Sequence, residues 1–189
     1  MQSSLEQTVL GVDPGLTRFG FGLIQVGKSR QVSFLEVGIL QSDSKMELDE
    51  RILKIGTEFE SLIKRTSPTH VAIERVFSQQ NLKTVMGVAQ ITGVILFLCS
   101  KSGIPVDFYT PTEIKAAVTG SGRANKEQVT QMVTKLLKLK TIPKPADAAD
   151  ALAIAITGAW RGTISSNATE TAAQRKWRTA EANSKRKSK

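Results

Sequence analysis

One cysteine, one histidine and one tyrosine stand among 189 residues, with only six prolines. A single cysteine excludes an internal disulfide framework and any cysteine-rich zinc site. No uncharged apolar run approaches the length of a membrane span, and no basic-then-apolar leader opens the chain. A soluble protein in a reducing, cytoplasmic setting is therefore expected, without a membrane partner. Acids are also in deficit, 17 Asp and Glu against 26 Lys and Arg, for a formal net charge of +9. What is present suits a folded domain: 40% of residues are hydrophobic and 23% charged, and a chain of this length buries a core without staples.

The excess positive charge is uneven. Residues 163–189 hold seven bases against two acids and are rich in Ser, Thr, Ala and Asn. They are expected to form a disordered basic tail after a domain spanning residues 1–162. Such a tail either only solubilises the chain or contacts phosphates through counterion release.

Thr8–Asp13 is a short apolar run stopped by Pro14-Gly15, which predicts a buried strand and a turn. Arg18–Val26 and Val32–Leu40 predict two more strands, joined by a hairpin at Gly27–Arg30. Leu48, Ile52, Ile55, Phe59, Leu62 and Ile63 recur at helical spacing until Pro68. A fourth strand at His70–Glu74, an apolar helix near 81–100 and a fifth strand at Val106–Tyr109 follow. Further helices are expected from Pro111, around Val129–Leu137 and from about Asp147. The implied fold class is α/β: a mixed five-stranded sheet, three antiparallel strands plus two parallel, flanked by helices on both faces. The helix near 81–100 is apolar on nearly every side, so a second copy of the chain is expected to cover what the sheet leaves open; the alternative is full burial within one chain. Cys99 reads as a small buried hydrophobe, and His70 as an edge or surface histidine.

Four acids occupy unusual positions. Asp13 and Glu74 each end an apolar strand, so adjacent parallel strands would bring both to one crevice beyond the sheet. Asp147 and Asp150 lie three apart within Ala146-Asp147-Ala148-Ala149-Asp150-Ala151, sharing one helix face in its first turn. Singly, Asp13 would serve as a turn residue and Asp147 as a cap. Together, four converging carboxylates repel unless a hard cation joins them, and their oxygens suit Mg²⁺ or Mn²⁺. Two such ions about 4 Å apart activate water and stabilise the leaving oxygen of a phosphodiester. In a basic protein this points to a nuclease.

Gly11-Val12-Asp13-Pro14-Gly15, Ala72-Ile73-Glu74-Arg75-Val76-Phe77 and the segment from Ala146 to Ala155 strongly resemble the RuvC family of bacterial crossover junction endodeoxyribonucleases. The resemblance runs from about Thr8 to Ala159 and implies an RNase H-like fold. It also implies a homodimer that binds a four-way (Holliday) junction DNA and nicks two strands symmetrically, leaving 5′-phosphate and 3′-hydroxyl ends in recombination and repair. Asp13, Glu74, Asp147 and Asp150 are then the catalytic ligands of two Mg²⁺ ions, with Mn²⁺ as a substitute. Lys115 and Lys126 match basic positions important for catalysis and DNA binding. Phe77 matches an aromatic that meets bases at the junction centre, with Arg75 and Gln79 as neighbours on the DNA. The RuvA–RuvB branch-migration complex enters as a partner by the same resemblance. Three rivals remain on sequence alone: an actin-like phosphotransferase, disfavoured by a chain that supplies one lobe; a non-catalytic DNA-binding protein; and an RNase H-like nuclease on another nucleic acid.

Overall fold

The computed structural model describes residues 7–75, 82–141, 143 and 145–162. Five strands, β1 (Gln7–Asp13), β2 (Arg18–Val26), β3 (Val32–Gln41), β4 (His70–Glu74) and β5 (Val106–Tyr109), form one sheet in the order β3-β2-β1-β4-β5. β1, β2 and β3 pair antiparallel, while β1–β4 and β4–β5 pair parallel. The mixed sheet expected from the sequence is the one observed. The helices are α1 (Leu48–Thr66), α2 (Leu82–Lys101), α3 (Pro111–Thr119), α4 (Lys126–Leu136) and α5 (Ala146–Arg161). The hairpin expected at Gly27–Arg30 joins β2 to β3, with Lys28–Arg30 wound into a short 3₁₀ turn.

Strand alternation divides the core into two layers. On β1, Leu10 and Val12 face a cluster completed by Ile55, Phe59 and Leu62 of α1 and Ile91 and Ile95 of α2. Val9 faces the opposite cluster, filled by α5 with Val118 of α3 and Val133 of α4. β1 is buried on both faces, as a central strand flanked by helical layers must be. α1 presents Ile55, Phe59, Leu62 and Ile63 to the sheet, and a capping box between Glu47 and Glu50 closes its N-terminus. Ser67 ends it in a left-handed conformation at φ 44°, ahead of Pro68.

α5 is buried along nearly its whole length by its alanines, and it lies almost directly on β1 and β2. A Cβ added at Gly11 would collide with the backbone of Ala151 and Ala155, and one at Gly22 would stand 2.9 Å from Leu152 N. Gly11 and Gly22 are register partners, so the two bare backbones make one shelf for the helix. This shelf sets how closely α5 approaches the sheet. Among the described residues no helix is long and apolar enough to cross a membrane.

His70 departs from expectation. It is fully buried, not at an exposed edge, because β4 is an interior strand between β1 and β5 and α5 covers it. Its Nε2 lies 3.0 Å from Asp107 Oδ2. Burial lowers the His70 pKa, and Asp107 pulls it back upward.

Candidate active site

β1 and β4 are neighbours, parallel and in register through Val12 and Ile73. Asp13 and Glu74 follow those partners directly, so they emerge side by side at the carboxyl edge. Two-residue alternation puts both on the face shared by Gly11 and Ala72, the face against which α5 lies. α5 brings the other two acids to the same edge. Its first turn carries Asp147, whereas Asp150 stands beyond that turn, so the helix dipole favours Asp147 alone.

One ligand oxygen each from Asp13, Asp147 and Asp150 can be chosen so that all lie within 4.8 Å of one another. Glu74 is outside that tight set. It lines a cleft of about 240 Å³ together with Lys115, Lys126, Asp150 and apolar side chains of α3, α4 and α5. Cap chemistry places both lysines. Thr110 and Glu113 form a capping box that starts α3 with Pro111 in its first turn, and Lys115 follows on that helix. Asn125 and Gln128 form another that starts α4, so Lys126 is its first residue.

The electrostatics are those of crowded carboxylates. Burial, followed by the charges of Asp150 and Asp147, pushes Asp13 up to about 6, against a smaller downward pull from Lys126. Burial, then Asp13 and Asp150, pushes Glu74 up to about 7, opposed by Lys126 and Lys115. Lys126 Nζ donates to Asp150 Oδ2 at 2.7 Å, and this hydrogen bond raises the lysine's pKa. The donor set is all hard oxygen, with no thiolate or imidazole, which fits Mg²⁺ or Mn²⁺ and not zinc.

Arg18 was absent from the sequence expectations. It opens β2, and its Nε donates to Asp147 Oδ2 at 2.5 Å. The only signal available beforehand was its place five residues after Asp13, on the far side of the Pro14-Gly15 turn. Arg75 is exposed at the end of β4 with its guanidinium 6.0 Å from the Phe108 ring, and its backbone N–H donates to Tyr109 O. Phe77, Gln79 and the tail from residue 163 lie outside the described residues.

The family model described as crossover junction endodeoxyribonuclease RuvC matches residues 9–158. The crossover junction endodeoxyribonuclease RuvC of Paenarthrobacter aurescens is 51% identical over 184 residues, covering 95% of this chain and 97% of its own. That of Rhodococcus jostii is 56% identical over 153 residues, 81% of each chain. The structure of Thermus thermophilus RuvC in complex with a Holliday junction substrate superposes with a TM-score of 0.79 at 32% identity, over 84% of this chain and 96% of that one. A match that spans every strand, both ends of the carboxylate set and the helix that carries half of it makes this chain a member of the RuvC family, with its RNase H-like fold.

Proposed function

We propose that the chain is a Holliday junction resolvase, an endonuclease that makes paired symmetric nicks in four-way DNA. The observation that carries this reading is the convergence of Asp13, Asp147 and Asp150 within 4.8 Å, beside Glu74, in a member of this family. The four acids are assigned as catalytic metal ligands for two Mg²⁺ ions, for which Mn²⁺ substitutes. Bound there, the ions supply an activated water and charge neutralisation at the leaving oxygen. Water adds to phosphorus, the bond to O3′ breaks, and a 5′-phosphate and a 3′-hydroxyl result.

The chain's own residues prepare that chemistry. Asp13 and Glu74 are held at the sheet edge, where burial makes them poor carboxylates until positive charge arrives. Lys126 and Lys115 supply part of that charge and line the cleft, in position to meet the scissile phosphate. Phe77 and Arg75, immediately beyond Glu74, are assigned to the junction centre by their place in the chain, where stacking contributes roughly 1–3 kcal/mol per base.

Function on a symmetric substrate calls for two such sites. Among the described residues of α2, the exposed Met86, Ala89, Gly93, Leu96 and Phe97 recur at spacings of three and four, so one largely apolar stripe is left uncovered by the chain itself. We assign this stripe to a two-fold homodimer. Residues 1–162 are assigned as the nuclease domain and 163–189 as a basic arm. Cytoplasmic work beside the RuvA–RuvB complex follows from the resolvase assignment.

The test is incubation of a synthetic four-way junction and a matched linear duplex with Mg²⁺. Paired symmetric nicks confined to the junction are expected, and equal cutting of both DNAs would overturn the reading. Asp13→Asn is expected to lose at least about a hundredfold in cleavage, since one metal ligand supports several kcal/mol of transition-state stabilisation, while junction binding persists. Full cleavage by that variant would remove the site assignment.

A further inference from the structure

We infer that Arg18 is an internal counter-ion at the Asp147 edge of the carboxylate set, a positioning residue whose guanidinium leaves that aspartate as a divalent cation is loaded. The inference rests on the metal-site reading above and adds to it a residue for which that reading has no role. Arg18 Nε engages one oxygen of Asp147 at 2.5 Å, just as Lys126 Nζ engages one oxygen of Asp150 at 2.7 Å. The two aspartates of α5 are thus each capped by a cation from a different element. Asp13, which belongs to the same set, is the third acid they enclose.

The backbone under Arg18 is braced, and its side chain reaches Asp147 from a half-exposed position. The turn leading to it is braced from the other side of the sheet. Ser42 Oγ donates to Leu16 O at 2.6 Å, Arg51 Nη2 donates to Thr17 Oγ1 at 2.7 Å, and Arg51 Nε donates to Ser42 Oγ at 3.0 Å. Arg18 itself pairs with Gln41 in the β2–β3 ladder. Its side chain, however, is 47% exposed. The guanidinium is therefore free to withdraw into water while the strand stays in place.

A hard cation and a guanidinium compete for the same carboxylate oxygen, and each raises the electrostatic cost of the other. In the free protein Arg18 relieves the repulsion of Asp147 against its neighbours. On loading, that relief passes to the metal. An exposed ion pair is weak, so the competition amounts to roughly a threefold to fivefold reduction in metal affinity. It is small enough to be overcome at each loading and large enough to be measured.

The experiment is a Mn²⁺ titration of the DNA-free protein, with unbound Mn²⁺ read by electron paramagnetic resonance. Arg18→Gln is expected to bind Mn²⁺ about threefold to fivefold more tightly than wild type, and Arg18→Lys, which restores the cation, within about twofold of it. Unchanged binding by Arg18→Gln overturns the inference, and so does weaker binding, which would make Arg18 a prop that presents Asp147 to the metal. A second measurement follows the guanidinium itself in the wild-type protein. The Arg18 Nε–H resonance, identified by its loss in Arg18→Lys, is expected to shift on saturation with Mg²⁺. A resonance unmoved at saturation overturns the inference. A wild-type chain that takes up no Mn²⁺ overturns the metal site as a whole; wild-type uptake matched by Arg18→Gln overturns the role of Arg18 alone.

Discussion

Asp13 and Glu74 place the free protein in conflict with itself near neutral pH. In the fold their carboxyls are pushed up to about 6 and about 7, against ordinary values of 3.8 and 4.5. Because the folded pKa is the higher one, the folded state holds its protons longer than the unfolded chain. The stability this contributes is complete below about pH 4 and is lost as pH rises through 6 and 7. A divalent cation reverses the balance, since it binds the ionised forms and releases the protons. The rise in Tm produced by saturating Mg²⁺ over a chelator control is therefore expected to be larger at pH 8 than at pH 5.5. Equal rises at the two pH values would show that Asp13 and Glu74 do not take part in metal binding. Residue identity made these four acids legible, because each violates the apolar pattern around it. Arg18 was not legible: an arginine at the start of a strand violates nothing, and only the fold brings it against Asp147. His70 misled for the related reason that a polar residue beginning a strand looks peripheral until the strand is found inside the sheet, flanked by β1 and β5.

The element that determines the site is α5, and its placement depends on what β1 and β2 lack. Ala151 and Ala155 meet Gly11 so closely that a methyl group on that glycine has no room. Gly20, which pairs with Asp13, would bring a Cβ within 2.7 Å of Asp147 O. Gly11→Ala must therefore push the helix outward or distort β1, and Asp147 and Asp150 move with the helix. A loss of about 1–3 kcal/mol in stability is expected from overpacking of this kind, read by urea unfolding. Cleavage should fall by more than the unfolded fraction explains. A variant that keeps wild-type activity per folded molecule would show that the glycine contact does not set the carboxylate geometry. α1 was legible from periodicity, because one-face burial imprints spacing on the sequence, whereas the start of α5 was marked by Pro143 and Pro145 and the strand endings by apolar runs that stop at an acid. The irregularity in β3 was not. The register shifts between Leu23 and Ile24 of β2, which pair with Glu36 and Phe34, and this leaves Leu35 unpaired at the bulge. An extra residue in an edge strand changes no composition and breaks no apolar run, so it leaves no mark to read.

At the scale of the whole molecule, the formal charge of +9 separates into +4 over residues 1–162 and +5 over residues 163–189. The folded part is the less basic because its acids include the four at the site. Truncation after Gly162 is expected to leave Mg²⁺-dependent cleavage in place while lowering junction affinity and flattening its dependence on salt, since phosphate-bound cations release counterions in proportion to their number. An unchanged salt slope in a binding titration would remove the arm from the DNA. The apolar stripe on α2 poses a separate demand. Phe97 is 66% exposed and Met86 53%, eleven residues and about three turns apart on one helix. Ile91, Ile95, Leu98 and Cys99 are spent on the chain's own core, so the residues left outward form a line, and a two-fold axis across that line would bury each Phe97 against the partner helix. Such an axis would also relate two carboxylate sites, matching a substrate whose own strands are related by two-fold symmetry. A negative charge on the stripe would have to be taken out of water against an apolar helix, so Phe97→Glu is expected to sediment as a monomer at micromolar concentration where wild type sediments as a dimer. The same variant should nick junctions one strand at a time and lose the paired cuts. Paired cutting by a monomeric wild-type protein would break the link between the stripe and the symmetry of the reaction.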